Sequence, residues 1–365
     1  MKKKSILLLL LCLMIQAGLA GCGQSADIQD NSEPGSSAGE NGIHKKYISF
    51  SEEIQELESG LSAVEFAGNY GFDEFLAQGG ASGDDGVISY LTEQMLSDIP
   101  GLLFGGNPFG CSTMSAAQEG GGYLFGRNFD WNSCDAMIVQ SLPENGYASI
   151  STVNMDFIQA GGVSVSKLPD NIQAIISMYA PLDGMNEQGF AVSVNMIQDT
   201  DTIEQNTQKP DITTTTAVRL LLNQAADVEE AIALLEQYDL HASMEMMVHF
   251  AMADAEGRSV VVEYINNEMV VTESQVVTNF YISEGEKNGI GTSQSHMRYE
   301  LLEQNLKNRE TFTETDIRDA LDSVSKDNFD GYESTEWSIV MNQETKEMTY
   351  YHRENYETGY TFSIQ

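Results

Sequence analysis

Past residue 110, short runs that alternate apolar and polar positions are interrupted by a few stretches of helical spacing. Residues 111–118 and 123–131 flank Glu119-Gly-Gly-Gly122 and predict a β-hairpin on a Gly-rich turn. If the hairpin is centred near Gly120, Cys111 falls opposite Phe129, give or take one residue. Further strands are predicted near 148–154, 174–178 and 190–196. Helical spacing covers 216–225, and a second helix opens at Asp227 with Glu230 three residues on, a capping-box-like start, placing Val228, Ala231, Ile232 and Leu235 on one face. Residues 246–279 return to strand patterning with turns at 254–257 and 265–267, the second joining 260–262 to 269–271. Helical patterns recur at 298–305 and at Ile317, Ala320, Leu321 and Val324, before closing strands at 337–341, 348–352 and 360–364. Strands, then helices, then strands predict α+β layers rather than alternating βαβ units.

Upstream, residues 48–110 are core-like, with Val64, Phe66, Phe72, Phe75 and Leu76. A helix is expected after Ser82 as N-cap, with Asp84 and Asp85 in its first turn and Val87, Ile88, Leu91, Met95 and Leu96 on one face. The breaker cluster Gly105-Gly-Asn-Pro-Phe-Gly110 ends this segment. At the amino terminus, Lys2, Lys3 and Lys4 precede an apolar run over 6–15, the order of an export signal and too short to span a bilayer comfortably. Leu19-Ala-Gly-Cys22 resembles the bacterial lipoprotein cleavage box, which implies lipidation of Cys22 and attachment to the cell membrane on its extracytoplasmic side. The polar, Gly/Ser-rich stretch that follows reads as a flexible tether. The expected division is a signal over 1–21, a tether over 22–45, a leader or small subunit over 46–110, and a catalytic domain over 111–365.

The chain has 365 residues, 41% hydrophobic and 20% charged, enough to bury a sizeable core. Its formal charge of −37 would be repelled by phosphate backbones, which excludes nucleic acid as a first partner. No CxxC, HExxH, GxGxxG after a strand or GxxxxGK[ST] occurs, so no metal and no nucleotide cofactor is expected. Nor is there a GxSxG nucleophile elbow, and His44, His241, His249, His296 and His352 lack ligand spacing and read as structural or surface residues.

Cys111 stands out: it follows a Gly-terminated breaker, opens a strand, and faces a strand carrying Arg127, Asn128 and Asp130. Strict alternation sends Arg127 and Asp130 to opposite faces, so both reach the thiol only if the strand ends or bulges near Phe129. From composition alone, a Cys111–Cys134 disulfide is an equal alternative in an exported chain, and Arg127 with Asp130 could form an ordinary turn ion pair.

Cys111-Ser-Thr, GRNFDW over 126–131, Asp183-Gly-Met-Asn-Glu-Gln-Gly-Phe190 and Ser193-Val-Asn195 together resemble the choloylglycine hydrolase, or linear amide C–N hydrolase, family. That family includes bile salt hydrolases and penicillin V acylases, with acid-ceramidase-like relatives. The resemblance implies an N-terminal-nucleophile hydrolase built as a four-layer αββα sandwich of antiparallel sheets, in which a cysteine exposed as a new amino terminus attacks a non-peptide amide. It implies Cys111 as nucleophile, Arg127 and Asp130 as the residues of the RNxD strand, and Asn195 as a donor to the oxyanion. More loosely, Asn279 in Val277-Thr-Asn279 and Arg298 before Tyr299 match later family positions. Typical bile salt hydrolases begin with Met-Cys, whereas this cysteine follows a long exported leader, which favours members whose leader is cleaved. The expected partner is a small-molecule N-acyl amide. An acyltransferase on the same fold, or a non-catalytic lipoprotein binding an acyl ligand, are the alternatives.

Overall fold

The computed structural model describes residues 44–95, 101–106, 109–160, 163–327 and 333–364. The expected export signal, Cys22 and the expected tether up to residue 43 lie outside the described residues. The last two residues expected in the tether, His44 and Lys45, join the leader in β1 (His44–Tyr47), and the leader then supplies β2 (Gln55–Glu58), β3 (Leu61–Ala67), α1 (Phe72–Ala77) and α2 (Asp84–Tyr90). After it come β4 (Gly110–Ala117), β5 (Tyr123–Trp131), β6 (Ala136–Leu142), β7 (Ser149–Asn154), α3 (Asp170–Met178), β8 (Asp183–Asn186) and β9 (Ala191–Met196). The chain continues through α4 (Thr214–Gln224), α5 (Val228–Leu235), β10 (Val248–Ala253), β11 (Ser259–Ile265), β12 (Glu268–Glu273) and β13 (Val276–Val277). It ends with α6 (Ser293–Asn308), α7 (Glu314–Asp322), β14 (Ser334–Asn342), β15 (Glu347–His352) and β16 (Thr358–Ser363).

Two large sheets stack face to face. One runs β1-β16-β15-β14-β5-β4-β13 and the other β12-β11-β10-β9-β8-β7-β6-β3-β2. Helices α6 and α7 cover the outer face of the first, and α3 and α4 that of the second, giving the four-layer αββα arrangement. Between the sheets lies much of the main core, with Phe129, Trp337, Ile138, Ile150 and Tyr350 among its buried members. A smaller cluster, including Met114, Leu302, Ile317, Leu321 and Val340, seals α6 and α7 onto their sheet. Helix starts follow local chemistry. Thr213 and Thr216 form a capping box before α4, Thr313 and Asp316 another before α7, and the Asp227 carboxylate accepts from Glu230 N–H at 2.8 Å to start α5.

The hairpin register is the predicted one, with Cys111 paired to Phe129. The turns at 254–257 and 265–267 also hold, Val262 pairing with Val271. Two local readings are corrected. Residues 174–178 belong to helix α3, because Ala174, Ile176, Ser177 and Met178 are buried together and a short apolar run does not reveal its period. Helix α2 is preceded by Gly83 rather than Ser82, with no side-chain cap, and passes into a π-turn over Leu91–Met95.

In the two large sheets the antiparallel expectation holds among the strands of residues 110–365 and fails where the leader joins; outside them, 211–213 and 239–241 form a small parallel pair. β1 runs parallel to β16, from His44 against Thr358 to Tyr47 against Thr361, and β3 runs parallel to β6 over seven residue pairs. Neither leader strand is joined to its partner by a hairpin, and a long connection permits parallel pairing. The leader is therefore part of both sheets. Its Tyr70, Phe72 and Phe75 also pack against Tyr179 of the catalytic part at 5.6–6.2 Å between ring centroids. Asn223 Nδ2 donates to Tyr70 Oη at 2.6 Å across the same boundary.

Candidate active site

Alternation along β4 gives Cys111 two environments. Its side chain points between the sheets, where Sγ lies 3.6 Å from the Val194 carbonyl of β9. Its backbone faces the α6 side: Cys111 N–H donates to Asn279 Oδ1 at 2.9 Å, and Cys111 C=O accepts from Arg298 Nη1 at 2.7 Å. Cys111 and Cys134 are both buried free thiols, so the disulfide alternative is not what the structure contains.

Arg127 and Asp130 do point to opposite faces of β5, and no bulge in the hairpin brings them together. Arg127 shares the inter-sheet face with the thiol, where its Nε pairs with Asp183 and its Nη1 reaches Ser193 Oγ and Asn195 Oδ1, the last at 3.0 Å. Asp130 lies on the outer face, paired with Gly110 across the ladder. There it receives Arg298 Nη1 at 3.1 Å and the Thr335 hydroxyl at 2.7 Å. The two side chains therefore serve the two sides of one residue, Arg127 the sulfur and Asp130 the backbone.

Arg298 ties the outer side together. One guanidinium reaches Cys111 C=O, Ser112 Oγ at 2.6 Å, Asp130, and Asn279 Oδ1 at 2.6 Å. Asn279 Nδ2 donates to the Met196 carbonyl at 2.6 Å, which fixes the direction of its amide. All six residues singled out from sequence, Cys111, Arg127, Asp130, Asn195, Asn279 and Arg298, thus fall within one connected network. Asn195 uses its oxygen on Arg127 and the Ser193 hydroxyl, while its Nδ2 makes only a long 3.4 Å contact with Val277 C=O.

Several supporting residues were missed. Asp183 takes Arg127 and also Trp337 Nε1 at 3.1 Å, so the acidic start of the DGMNEQG motif was a usable signal. His249 sits beside Asn195 in the β9–β10 ladder and is fully buried, with Glu263 Oε1 at 2.9 Å and Thr278 C=O at 2.8 Å from its two ring nitrogens. Glu263 also accepts from the Ile282 and Ser283 N–H groups, which straps the segment carrying Asn279 to the sheet. Burial alone would raise the Glu263 carboxyl, but His249, Ser283 and Ile282 bring it down to about 2. No sequence spacing announced this pair.

The site is closed as it stands. Cys111 is 0% exposed, and the buried Phe109 packs its ring 5.3 Å from that of Phe129, the cross-strand partner of Cys111. Burial pushes the thiol up to about 11, against the pull of Arg127 and, more weakly, Arg298, and with a contribution from Asp130. Among the described residues no three His, Cys, Asp or Glu side chains are placed to hold a metal ion.

Residues 111–280 match the family model of the linear amide C–N hydrolases, choloylglycine hydrolase family. Over that segment the chain is similar to this family. The match supports a hydrolase acting on linear amide C–N bonds. A mutant of the conjugated bile acid hydrolase from Clostridium perfringens superposes with a TM-score of 0.50 at 16% identity, over 67% of this chain and 89% of that one, and shares its fold. The penicillin V acylase from Agrobacterium tumefaciens gives a TM-score of 0.41 at 16% identity, over 66% and 83%. No curated protein matches the chain in sequence. The match begins at Cys111 itself.

Proposed function

We propose that the protein is an exported, lipid-anchored cysteine amidohydrolase that cuts its own chain between Gly110 and Cys111 and then cleaves a linear N-acyl amide through an acyl-thioester on Cys111. The observation that carries this reading is the double hold on Cys111, sulfur toward Arg127 between the sheets and backbone toward Asn279, Arg298 and Asp130. Once the Gly110 bond is broken, the Cys111 nitrogen becomes an amine with an ordinary pKa of about 7.7 to 8.0, a base within reach of its own thiol. Asp130, joined to the Cys111 backbone through Arg298, would hold that amine. Arg127 would favour the thiolate, and Asn195 Nδ2, committed only to the long Val277 contact, would donate to the oxyanion. Export and lipidation rest on the Lys2–Lys4 run, the apolar stretch and Cys22.

N-terminal sequencing and intact mass of the purified chain test the cut. A fragment 111–365 beginning at Cys111, with hydrolysis of N-acyl amides by the same preparation, is the expected result. A whole, inactive chain would leave the thiol without its amine and favour acyl-ligand binding instead.

Two further outcomes follow from the same reading. Because both sheets contain leader strands, the leader is expected to remain bound after the cut and to co-elute with fragment 111–365 on gel filtration in non-denaturing buffer, separating only in denaturant. Elution of the fragment alone would show that the enzyme is released from its anchor. The second outcome concerns pH. A thiol raised to about 11 is protonated at neutral pH, so its thiolate fraction grows about tenfold per pH unit until it levels off. Self-cleavage of freshly made chain should accelerate in that proportion between roughly pH 7 and 9, followed by mass spectrometry; a flat rate would exclude the thiolate as the attacking species.

A further inference from the structure

Residue 110 sits in a ring of charges. A Cβ there would lie 2.6 Å from Glu333 Oε1, 2.7 Å from Lys326 Nζ and 2.8 Å from Asp130 Oδ2, so the Lys326 ammonium stands no more than about 4 Å from Gly110 Cα once a bond length is added. Lys326 is anchored on both sides. Its backbone exchanges hydrogen bonds with Thr335, N–H to Oγ1 at 2.8 Å and C=O from N–H at 3.0 Å, and the Thr335 hydroxyl in turn donates to Asp130. Its Nζ pairs with Glu333 Oε1 at 2.6 Å and lies 3.5 Å from Asp130 Oδ2. The side chain is only 8% exposed, an unusual burial for a lysine that has no part in the network around the Cys111 sulfur.

From this we infer that Lys326, positioned by Glu333 and Thr335, serves the self-cleavage step by stabilising the negative charge that develops on residue 110. The inference rests on the proposed self-cleavage. In that reaction Cys111 Sγ bonds to the Gly110 carbonyl carbon, the carbon–nitrogen bond breaks, and the thiol proton ends on the departing nitrogen. Water then attacks the thioester; the carbon–sulfur bond breaks, sulfur regains a proton, and Gly110 leaves as a carboxylate with one proton released to solvent. Negative charge thus appears at residue 110 on the tetrahedral oxyanion of each attack and finally on the carboxylate. Arg298, the other cation nearby, is already engaged by Cys111 C=O, Ser112, Asp130 and Asn279. Glu333, with 24% of its side chain exposed, can turn to water and leave Lys326 to the new carboxylate. Both residues lie beyond the segment that matches the family model, so the likeness says nothing of them.

The test uses the full chain in detergent and follows the appearance of fragment 111–365 by mass spectrometry in wild type, Lys326→Met, Lys326→Arg and Glu333→Gln. Lys326→Met is expected to cut about 10²-fold more slowly, the usual cost of losing one oxyanion donor. Lys326→Arg should recover most of the rate because it restores the charge, and Glu333→Gln should slow cutting by a smaller factor. Equal rates in wild type and Lys326→Met overturn the inference alone, as does slow cutting in Lys326→Arg equal to that of Lys326→Met. A wild-type chain that never cuts overturns the self-cleavage reading and this inference with it. Should Lys326→Met fail to fold, the Lys326→Arg and Glu333→Gln rates decide, and wild-type cutting in Glu333→Gln counts against the inference.

Discussion

Cys111→Ala is expected to leave the chain whole and to lower amide turnover on the order of 10⁶-fold, the scale of deleting a covalent nucleophile. The substitution removes one sulfur from a fully buried position, where it meets Val194 C=O and Arg127, and Arg127 keeps Asp183, Ser193 and Asn195, so the fold has little to lose. The backbone hold survives, because Asn279 and Arg298 grip the N–H and C=O of residue 111 rather than its side chain. A variant that melts near wild type yet neither cuts nor turns over is therefore the expected result, read by intact mass, thermal unfolding and product release from an N-acyl amide. A folded Cys111→Ala chain that still cuts at residue 110 would move the nucleophile elsewhere.

Arg298→Met is expected to damage both stability and chemistry. The guanidinium is almost buried and reaches four groups, of which Asp130 is a carboxylate with no exposure of its own. Removing one partner of a buried pair leaves an uncompensated charge, which costs about 3 kcal/mol, softened here by Lys326 at 3.5 Å. Cutting and turnover should fall about 10²- to 10³-fold, because Cys111 C=O, Asp130 and Asn279 Oδ1 lose the cation that joins them around the Cys111 backbone. Arg298→Lys should fall between, since one ammonium cannot reproduce the planar fork that spans Asn279 and Cys111 C=O together. Denaturant melts alongside cutting rates check this. An Arg298→Met chain with wild-type stability and rate would show that the network is dispensable.

The hairpin shows how far local pattern reaches. A Gly-rich turn between two alternating runs set the pairing of Cys111 with Phe129 from sequence alone, and the period of two placed Arg127 and Asp130 on opposite faces. Only the reason for that separation was hidden. It became clear once the second sheet put Asp183, Ser193 and Asn195 against one face and α6 put Arg298 against the other. The misread 174–178 segment has a related cause, for a helix buried on most sides and a buried strand share the same apolar run until a neighbour fixes the period.

By itself, then, the sequence determined the α+β layering, the meander and hairpins, and the pairing of Cys111 with Phe129, because turns, caps and alternation act over a few neighbouring positions. Tertiary structure alone decided the rest: the leader's parallel entry into both sheets, the Glu263–His249 strap behind Asn279, and the placing of Lys326 and Glu333 beside Gly110. These contacts join residues far apart in the chain. No local propensity encodes such a meeting, which arises only when burial of the shared core brings distant strands into register.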